Sequence, residues 1–300
     1  MKPKAKDFKS LRRKYIIDGI ASYTVLIALA IIWIIPIVWT VTTSFRGESA
    51  GLITQSFFPK VWTVKNYVNL FKEGRILLFK RWLINTLAIA LCNMFITTFI
   101  TLCVAYSLSR FRFKMRRPYM NIALILGMFP GFMAMTAIYI ILGIFTDAQG
   151  DPLLLGNTWT LLLIYASGAG LGFFVSKGYF DTLSISLDEA ALLDGASQMA
   201  IFFKIILPLS KPIIIYTALM AFMTPWADYV LARVILGADS SRQSWTVPVG
   251  LYDLTDPTRI ADYFTIFTSG CVIIAVPIVL IYLSLQRFMV EGISAGAVKG

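Results

Sequence analysis

The sequence contains no histidine, and only 14% of its 300 residues carry charge. The missing histidine removes the usual general base near neutral pH and the commonest metal ligand. The scarcity of charge excludes an ordinary soluble domain, in which about a quarter of the residues are Asp, Glu, Lys or Arg. With 58% hydrophobic residues and a mean hydropathy of +0.75, a water-soluble fold could not cover its surface with polar groups. A bilayer removes that requirement. Cysteine is also scarce. Cys92, Cys103 and Cys271 all fall inside apolar runs, lack metal-ligand spacing and read as packing residues. There is no G-x-S-x-G turn and no Gly-rich loop ending in Lys-Ser or Lys-Thr. No catalytic, metal or cofactor site is expected on this chain, and it does not read as an enzyme.

What the chain has is long apolar runs. Crossing the hydrocarbon core takes about 20 mostly apolar residues. Six runs qualify: Ile20–Thr43, Leu83–Ser109, Tyr119–Phe145, Thr158–Ser176, Pro212–Trp226 with an extension toward Ile235, and Tyr263–Leu285. The fold class is therefore an all-α integral membrane protein with six transmembrane helices. The basic segment Lys2–Lys14 resembles the start of a signal peptide. The apolar run after it is too long, and no small-residue cleavage pattern follows, so a retained first span is favoured.

Net charge is +11, which in a soluble chain suggests nucleic acid. Here the basic residues sort by loop. Lys2–Lys14, the short loop Arg110–Arg117, the loop with Lys177, Lys204 and Lys211, and the tail with Arg287 and Lys299 hold the majority of the Lys and Arg. Cytoplasmic loops are enriched in these residues, so both termini are expected inside and no nucleic-acid partner is expected. The regions are then a cytoplasmic N-terminus (1–19), a cytoplasmic loop (177–211) and a cytoplasmic tail (286–300) around one transmembrane domain, 1–300.

Five span interiors lack Asp, Glu, Lys and Arg, which disfavours ion-coupled carriers, since these keep ionisable groups near the midplane. Asp228 is the exception. It reads either as an interfacial residue where Pro225 breaks span five or as a polar group lining a substrate path. Trp226 and Tyr229 read as path-lining aromatics or as belt residues at the membrane surface. Pro130, Gly127 and Gly131 in span three predict a kink. Gly168, Gly170 and Gly172 in span four allow close helix approach, for packing or for a gate.

The cytoplasmic loop is the most informative segment. Ser186-Leu187-Asp188-Glu189 has the S-x-x-E form of a capping box, in which Ser186 and Glu189 satisfy each other's amides. Asp194-Gly195 predicts a turn. Met199–Leu207 predicts a second short helix, and Pro208 and Pro212 close the segment before span five. Such a helix pair could lie on lipid. Its first half is acidic and rich in Ala, without Lys or Arg between Asp181 and Phe203, which favours a groove on a protein partner.

Glu189-Ala190-Ala191, three residues, Gly195, nine residues, Ile205, one residue and Leu207-Pro208 together resemble the EAA motif of binding-protein-dependent ABC importer permeases. The Gly292–Gly300 tail is similar to that of the smaller permease of maltose/maltodextrin-type transporters. The resemblance covers nearly the whole chain and implies a type I importer permease in the bacterial plasma (inner) membrane. The implied partners are a second, larger permease, two ATPase subunits carrying ATP and Mg, and an extracellular or periplasmic sugar-binding protein. It implies that Glu189, Ala190, Ala191, Gly195, Ile205, Leu207 and Pro208 couple to the ATPase. It implies also that a tail flexible by composition, with Gly292, Ser294, Gly296 and Lys299, reaches between the ATPases. In relatives the loop matching Gly237–Asp262 touches the binding protein, and this polar segment is expected to do so. The resemblance leaves the sugar unread. The alternatives are a stand-alone secondary carrier or channel for a small polar solute, and a membrane enzyme.

Overall fold

The structure, a computed structural model, describes residues 5–48, 56–72, 74, 76–237, 239 and 241–297. Among these, all regular structure is helical, with two isolated β-bridges, Arg46 to Trp62 and Thr146 to Pro152. Three helices contain unbroken segments long and apolar enough to cross a membrane: Asp18–Ser44, Phe79–Arg110 and Ile260–Gln286. Counting each bent pair as one span raises the number to 6.

Helix α1 (Ala5–Ser44) lies along α14 (Ile260–Ala297), where Trp39 and Phe264 meet with ring centroids 5.8 Å apart. Most of its apolar surface is exposed in the isolated chain. The short α2 (Lys65–Leu70) ties both together: Asn66 Nδ2 donates to the carbonyls of Ser44 and Arg46, and Ser269 Oγ donates to Ser44 O as well. The tail expected to be flexible continues α14 as helix through Ala297. A helix that the span has already nucleated propagates through scattered glycines at a modest cost. Lys299 lies outside the described residues.

Span three is not one helix. α4 (Arg116–Gly127) and α5 (Gly131–Gly143) meet at 98°. Each is about 20 Å long at the α-helical rise, short of the roughly 30 Å hydrocarbon core. Pro130, which lacks an N–H, occupies the N-cap of α5 between Gly127 and Gly131, so the expected kink becomes a corner. Span four also breaks. α6 (Thr158–Ser167) passes through a 3₁₀ turn, Gly168–Gly170, into α7 (Phe174–Thr182) with a bend of 41°. Carbonyls at the break find new donors: Thr101 Oγ1 bonds Ala169 O at 3.1 Å, and Tyr119 OH bonds Gly170 O. A broken helix at membrane depth needs such partners.

α8 (Ser186–Leu193), α9 (Gln198–Ile201) and α10 (Leu207–Leu209) form the loop before span five, with a π-turn at Phe202–Ile206 between α9 and α10. Pro208 does not close this helix. It follows the wide π-turn, and the chain turns by 86° two residues later, at Ser210. Span five is α11 (Lys211–Ala227) followed, after a break at Asp228–Tyr229, by α12 (Val230–Leu236). Pro225 sits inside α11 and does not break it. Its missing N–H frees the carbonyl of Ala221, and Asn93 Nδ2 from α3 (Phe79–Arg110) takes that carbonyl at 2.7 Å.

α3 is the axis of the fold. At its beginning, Phe79, Trp82 and Ile89 join one buried cluster with α6, α12 and α13 (Val247–Asp253). At its end, Leu102, Tyr106 and Leu108 join a second cluster with α7 and the loop helices α8 and α9. The segment Gly237–Asp262, read as a polar loop, is instead folded inward at its centre. Trp82 Nε1 donates to Arg242 O, Asn85 Nδ2 to Trp245 O, and Thr86 Oγ1 accepts from Val247 N. Trp245, Val247 and Val249 are buried, and Gly250 lies so close to Trp82 that a Cβ would stand 2.1 Å from the ring. Tyr252, Pro257 and Thr258 remain exposed.

Candidate functional site

The loop carrying Glu189 to Pro208 is built on α3 by charge. Arg110, the last residue of α3, reaches Asp188 in the first turn of α8, Nε to Oδ2 3.1 Å. Both side chains are at least nine-tenths buried. Arg110 Nη2 also donates to Leu183 O at 3.1 Å, and Tyr106 OH faces Asp188 Oδ1 at 3.5 Å. Beside this pair, Asp181 accepts from Ser109 Oγ and Lys177 Nζ, each at 2.6 Å. A buried ion pair adds little net stability, but losing one partner leaves an uncompensated charge. The pair therefore fixes where α8 sits on α3.

The expected capping box is absent. Ile185 is the N-cap residue and makes no side-chain cap. Ser184 supplies the local bonding instead: its Oγ accepts from Ser186 N at 3.3 Å and meets Ser186 Oγ at 2.7 Å. The helix thus starts one residue earlier than the S-x-x-E reading assumed, and Glu189 points to solvent. The other end matches the reading. Gly195 has φ +83°, Ala196 N donates to Ala191 O at 2.9 Å and Gly195 N to Leu192 O at 3.0 Å. This is a Schellman stop, whose left-handed residue favours glycine. Ser197 then caps α9 through Ala200 N.

Of the motif residues, Glu189, Ala190, Gly195 and Pro208 are exposed, Ile205 and Leu207 half-buried, and Ala191 buried in the second cluster. One face of the pair is thus anchored and the other is open. The open face carries Leu193, 90% exposed, with Leu192, Met199 and Phe203. Sequence reading passed over these apolar residues because helical spacing alone does not say which face meets the rest of the chain. It also passed over Asp188, named only as part of the S-x-x-E pattern, and Arg110, read only for topology.

A second feature lies along the spans. A cavity of about 320 Å³ opens at the 3₁₀ break of span four, lined by Thr97, Thr101, Tyr165, Ser176, Tyr216 and Thr217 together with Gly168 and Gly172. Ser176 and Thr217 hydroxyls bond at 3.1 Å. Tyr165 OH donates to Asp228 Oδ2 at 2.7 Å, while Asp228 Oδ1 accepts from Leu231 N and caps α12. Asp228 therefore joins the two breaks in spans four and five. Tyr229 packs on Tyr252 with ring centroids 4.1 Å apart and planes tilted by 35°. Trp226 packs on Phe222 and lines neither this cavity nor the one beside Tyr229. No cluster of three or more metal-ligating side chains occurs among the described residues.

Residues 98–294 match the family described as binding-protein-dependent transport system inner membrane component. The chain is 36% identical to the galactooligosaccharides transport system permease protein of Bacillus subtilis (strain 168), over 93% of this chain and 95% of that one. It is also 36% identical to the maltodextrin transport system permease protein of the same organism, over 95% and 97%. Its fold is similar to that of a chain in a bacterial ABC transporter involved in the import of the acidic polysaccharide alginate, with a TM-score of 0.75 at 22% identity, covering 92% of this chain and 97% of that chain. The family match spans the hydroxyl-lined cavity and the loop pinned by Arg110 and Asp188, and the chain belongs to this family: it is a multi-pass inner-membrane permease subunit of an ABC importer, related to those of maltodextrin- and oligosaccharide-type transporters.

Proposed function

We infer that this chain is the smaller permease of an ATP-driven, binding-protein-dependent importer of oligosaccharides of the maltodextrin kind. In this reading it is one transmembrane domain of six spans, counting the bent pairs, with both termini and the loop 177–211 in the cytoplasm. It forms half of the pathway with a second, larger permease. A sugar-binding protein delivers substrate from outside, where the exposed parts of Gly237–Asp262 are the contact surface. Two ATPase subunits hold ATP and Mg, and this chain binds no cofactor itself.

The observation that carries this reading is the two-faced geometry of the coupling loop. Ala191, Ile201 and Ile206 hold it to the membrane domain, and Glu189, Ala190, Leu193 and Met199 face away. A rigid helix that is apolar on its free side suits a groove on a protein partner. Because Asp188 ties α8 to the end of α3, a displacement of the docked helix is passed to the central span. Ile205, Leu207 and Pro208 continue this attachment to span five. The tail residues Gly292, Ser294 and Gly296, and Lys299 beyond the described residues, extend the ATPase contact. The names of the relatives support the oligosaccharide class, and the hydroxyl-lined cavity beside Asp228 suits a polyhydroxyl substrate.

Co-purification with the ATPase subunits tests the docking. Gly195→Asp, which puts a charge on the exposed turn, or Ala190→Trp on the open face, should leave membrane insertion intact and abolish association. Wild-type yields of ATPase with both variants would sink the assignment.

A further inference from the structure

A second cavity, of about 250 Å³, opens where the break between α11 and α12 meets α13, and its walls include Tyr229, Arg233, Tyr252, Asp253, Asp256 and Pro257. It is smaller than the roughly 300–1,000 Å³ typical of sites for drug-sized ligands and suits a single ring. Two tyrosines form one wall, with Tyr252 half exposed. Arg233 lies with its guanidinium 5.0 Å from the Trp245 ring centroid, and its buried Nη1 has no hydrogen-bond partner among the described residues. The nearby Asp253 carboxylate is already shared between Arg242, at 3.0 Å, and Arg259. Arg233 Nη1 is closed to solvent, and the accessible part of the Arg233 side chain contributes to the cavity wall.

We propose that Arg233, Tyr229 and Tyr252 form a glycosyl subsite, in which one pyranose ring of the transported oligosaccharide rests against Tyr252 and its hydroxyl groups face the polar wall that includes Arg233 and Asp256. This rests on the reading of the chain as an oligosaccharide permease. Charges of both signs, Arg233 and Asp256, stand in the wall, and Asp253 is already matched by two arginines, so no one sign dominates and a neutral polar ligand is suited. A polyhydroxyl ring supplies donors and acceptors for such a mixed wall, and it offers an apolar face to an aromatic ring. The position also fits a route. Tyr229 adjoins Asp228, whose carboxylate accepts from Tyr165 in the wall of the hydroxyl-lined cavity. A glycosyl unit leaving the subsite thus meets Asp228 and then the hydroxyl groups between α3, α6, α7 and α11.

The test uses the whole complex, with both permeases, the ATPases and the binding protein, in proteoliposomes. Uptake of a panel of gluco- and galactooligosaccharides by the wild-type complex identifies an imported sugar. That sugar, carrying a photoactivatable diazirine, is then used to label the complex. Label is expected on peptides containing Tyr229 and Tyr252. Arg233→Gln and Tyr252→Ala should each lower labelling and maximal uptake at least about tenfold, and Tyr252→Phe should retain most of both, because the ring remains. Tyr252 is half exposed, so its truncation spares the fold, and co-purification with the ATPases checks assembly. An imported sugar that labels elsewhere, or variants within about twofold of wild type, overturns the subsite alone. A wild-type complex that imports no oligosaccharide of the panel overturns the subsite and the functional reading together.

Discussion

Asp188, in the first turn of α8, is held by Arg110 at the end of α3, Nε to Oδ2 3.1 Å, with both side chains withdrawn from solvent. Replacing either one strands the other. Asp188→Asn or Arg110→Met should cost about 3–5 kcal/mol locally, the range for one broken buried pair. Hydrogen exchange across residues 186–193 should rise, and sugar uptake should fall together with ATPase association. The reversed pair, Arg110→Asp with Asp188→Arg, should recover part of the association. Unchanged exchange in the single variants would show that the pair does not position α8.

Gly195 turns the chain with φ +83°, and no neighbour lies within 4 Å of a Cβ placed there. The constraint is therefore backbone conformation, not space. Asn tolerates the left-handed region and Val does not. Gly195→Asn should keep ATPase association near wild type. Gly195→Val should lose about 1–2 kcal/mol from the turn, and co-purification should fall accordingly. Equal association of both variants would argue against a turn-dependent docking surface.

Asn93 and Pro225 make a reciprocal pair through the Ala221 carbonyl. Asn93→Ala alone leaves that buried carbonyl unpaired and should cost about 1–3 kcal/mol. Pro225→Ala restores a backbone N–H four residues on, so it should reduce the loss in the double variant. Thermal unfolding of the four detergent-solubilised forms gives the cycle. Strict additivity of the two changes would show that Pro225 does not create the need for Asn93.

Glu48 clasps the turn after α1. Its carboxylate accepts from Lys60 N at 3.0 Å and Val61 N at 3.1 Å, and Arg46 Nη1 lies 2.6 Å away. The Lys60 amide leads in lowering its pKa from 4.5 to about 2, helped by Val61 and Arg46 against a smaller desolvation effect. A depressed carboxyl pKa means that the unfolded turn binds the proton more readily. The clasp contributes fully above about pH 4.5 and is lost as pH falls toward 2. Protection factors of the Lys60 and Val61 amides should hold from neutral pH to about 4.5 and drop below it. In Glu48→Gln they should be low throughout and independent of pH.

Spans one, two and six were readable because an unbroken apolar run longer than the bilayer permits little else. Spans three to five were readable as apolar segments but not as shapes. Pro130 announces a defect and leaves its angle open, since a kink and a corner of 98° begin with the same missing N–H. Pro225 was read as the break in span five. The true break lies at Asp228, because Asn93, distant in sequence, repairs the ladder at Pro225. In the loop before span five Asp194-Gly195 marked the turn, whereas S-x-x-E misplaced the helix start, since Ser184 bonds Ser186 first.

Composition and local pattern were enough for a multi-span membrane protein with an acidic helix–turn–helix before span five. Those properties depend on burial in lipid, on backbone conformation at single residues and on spacing along one chain. Which face of that loop is free, what holds it and where polar cavities open depended on contacts between distant segments. Arg110 meets Asp188, Tyr165 meets Asp228, and Tyr229 meets Tyr252 only after α3, α6, α8, α12 and α13 have packed. Periodicity specifies a helix and its apolar stripe. It does not specify the rotation and tilt that bring one stripe against another, and those were set by packing around α3.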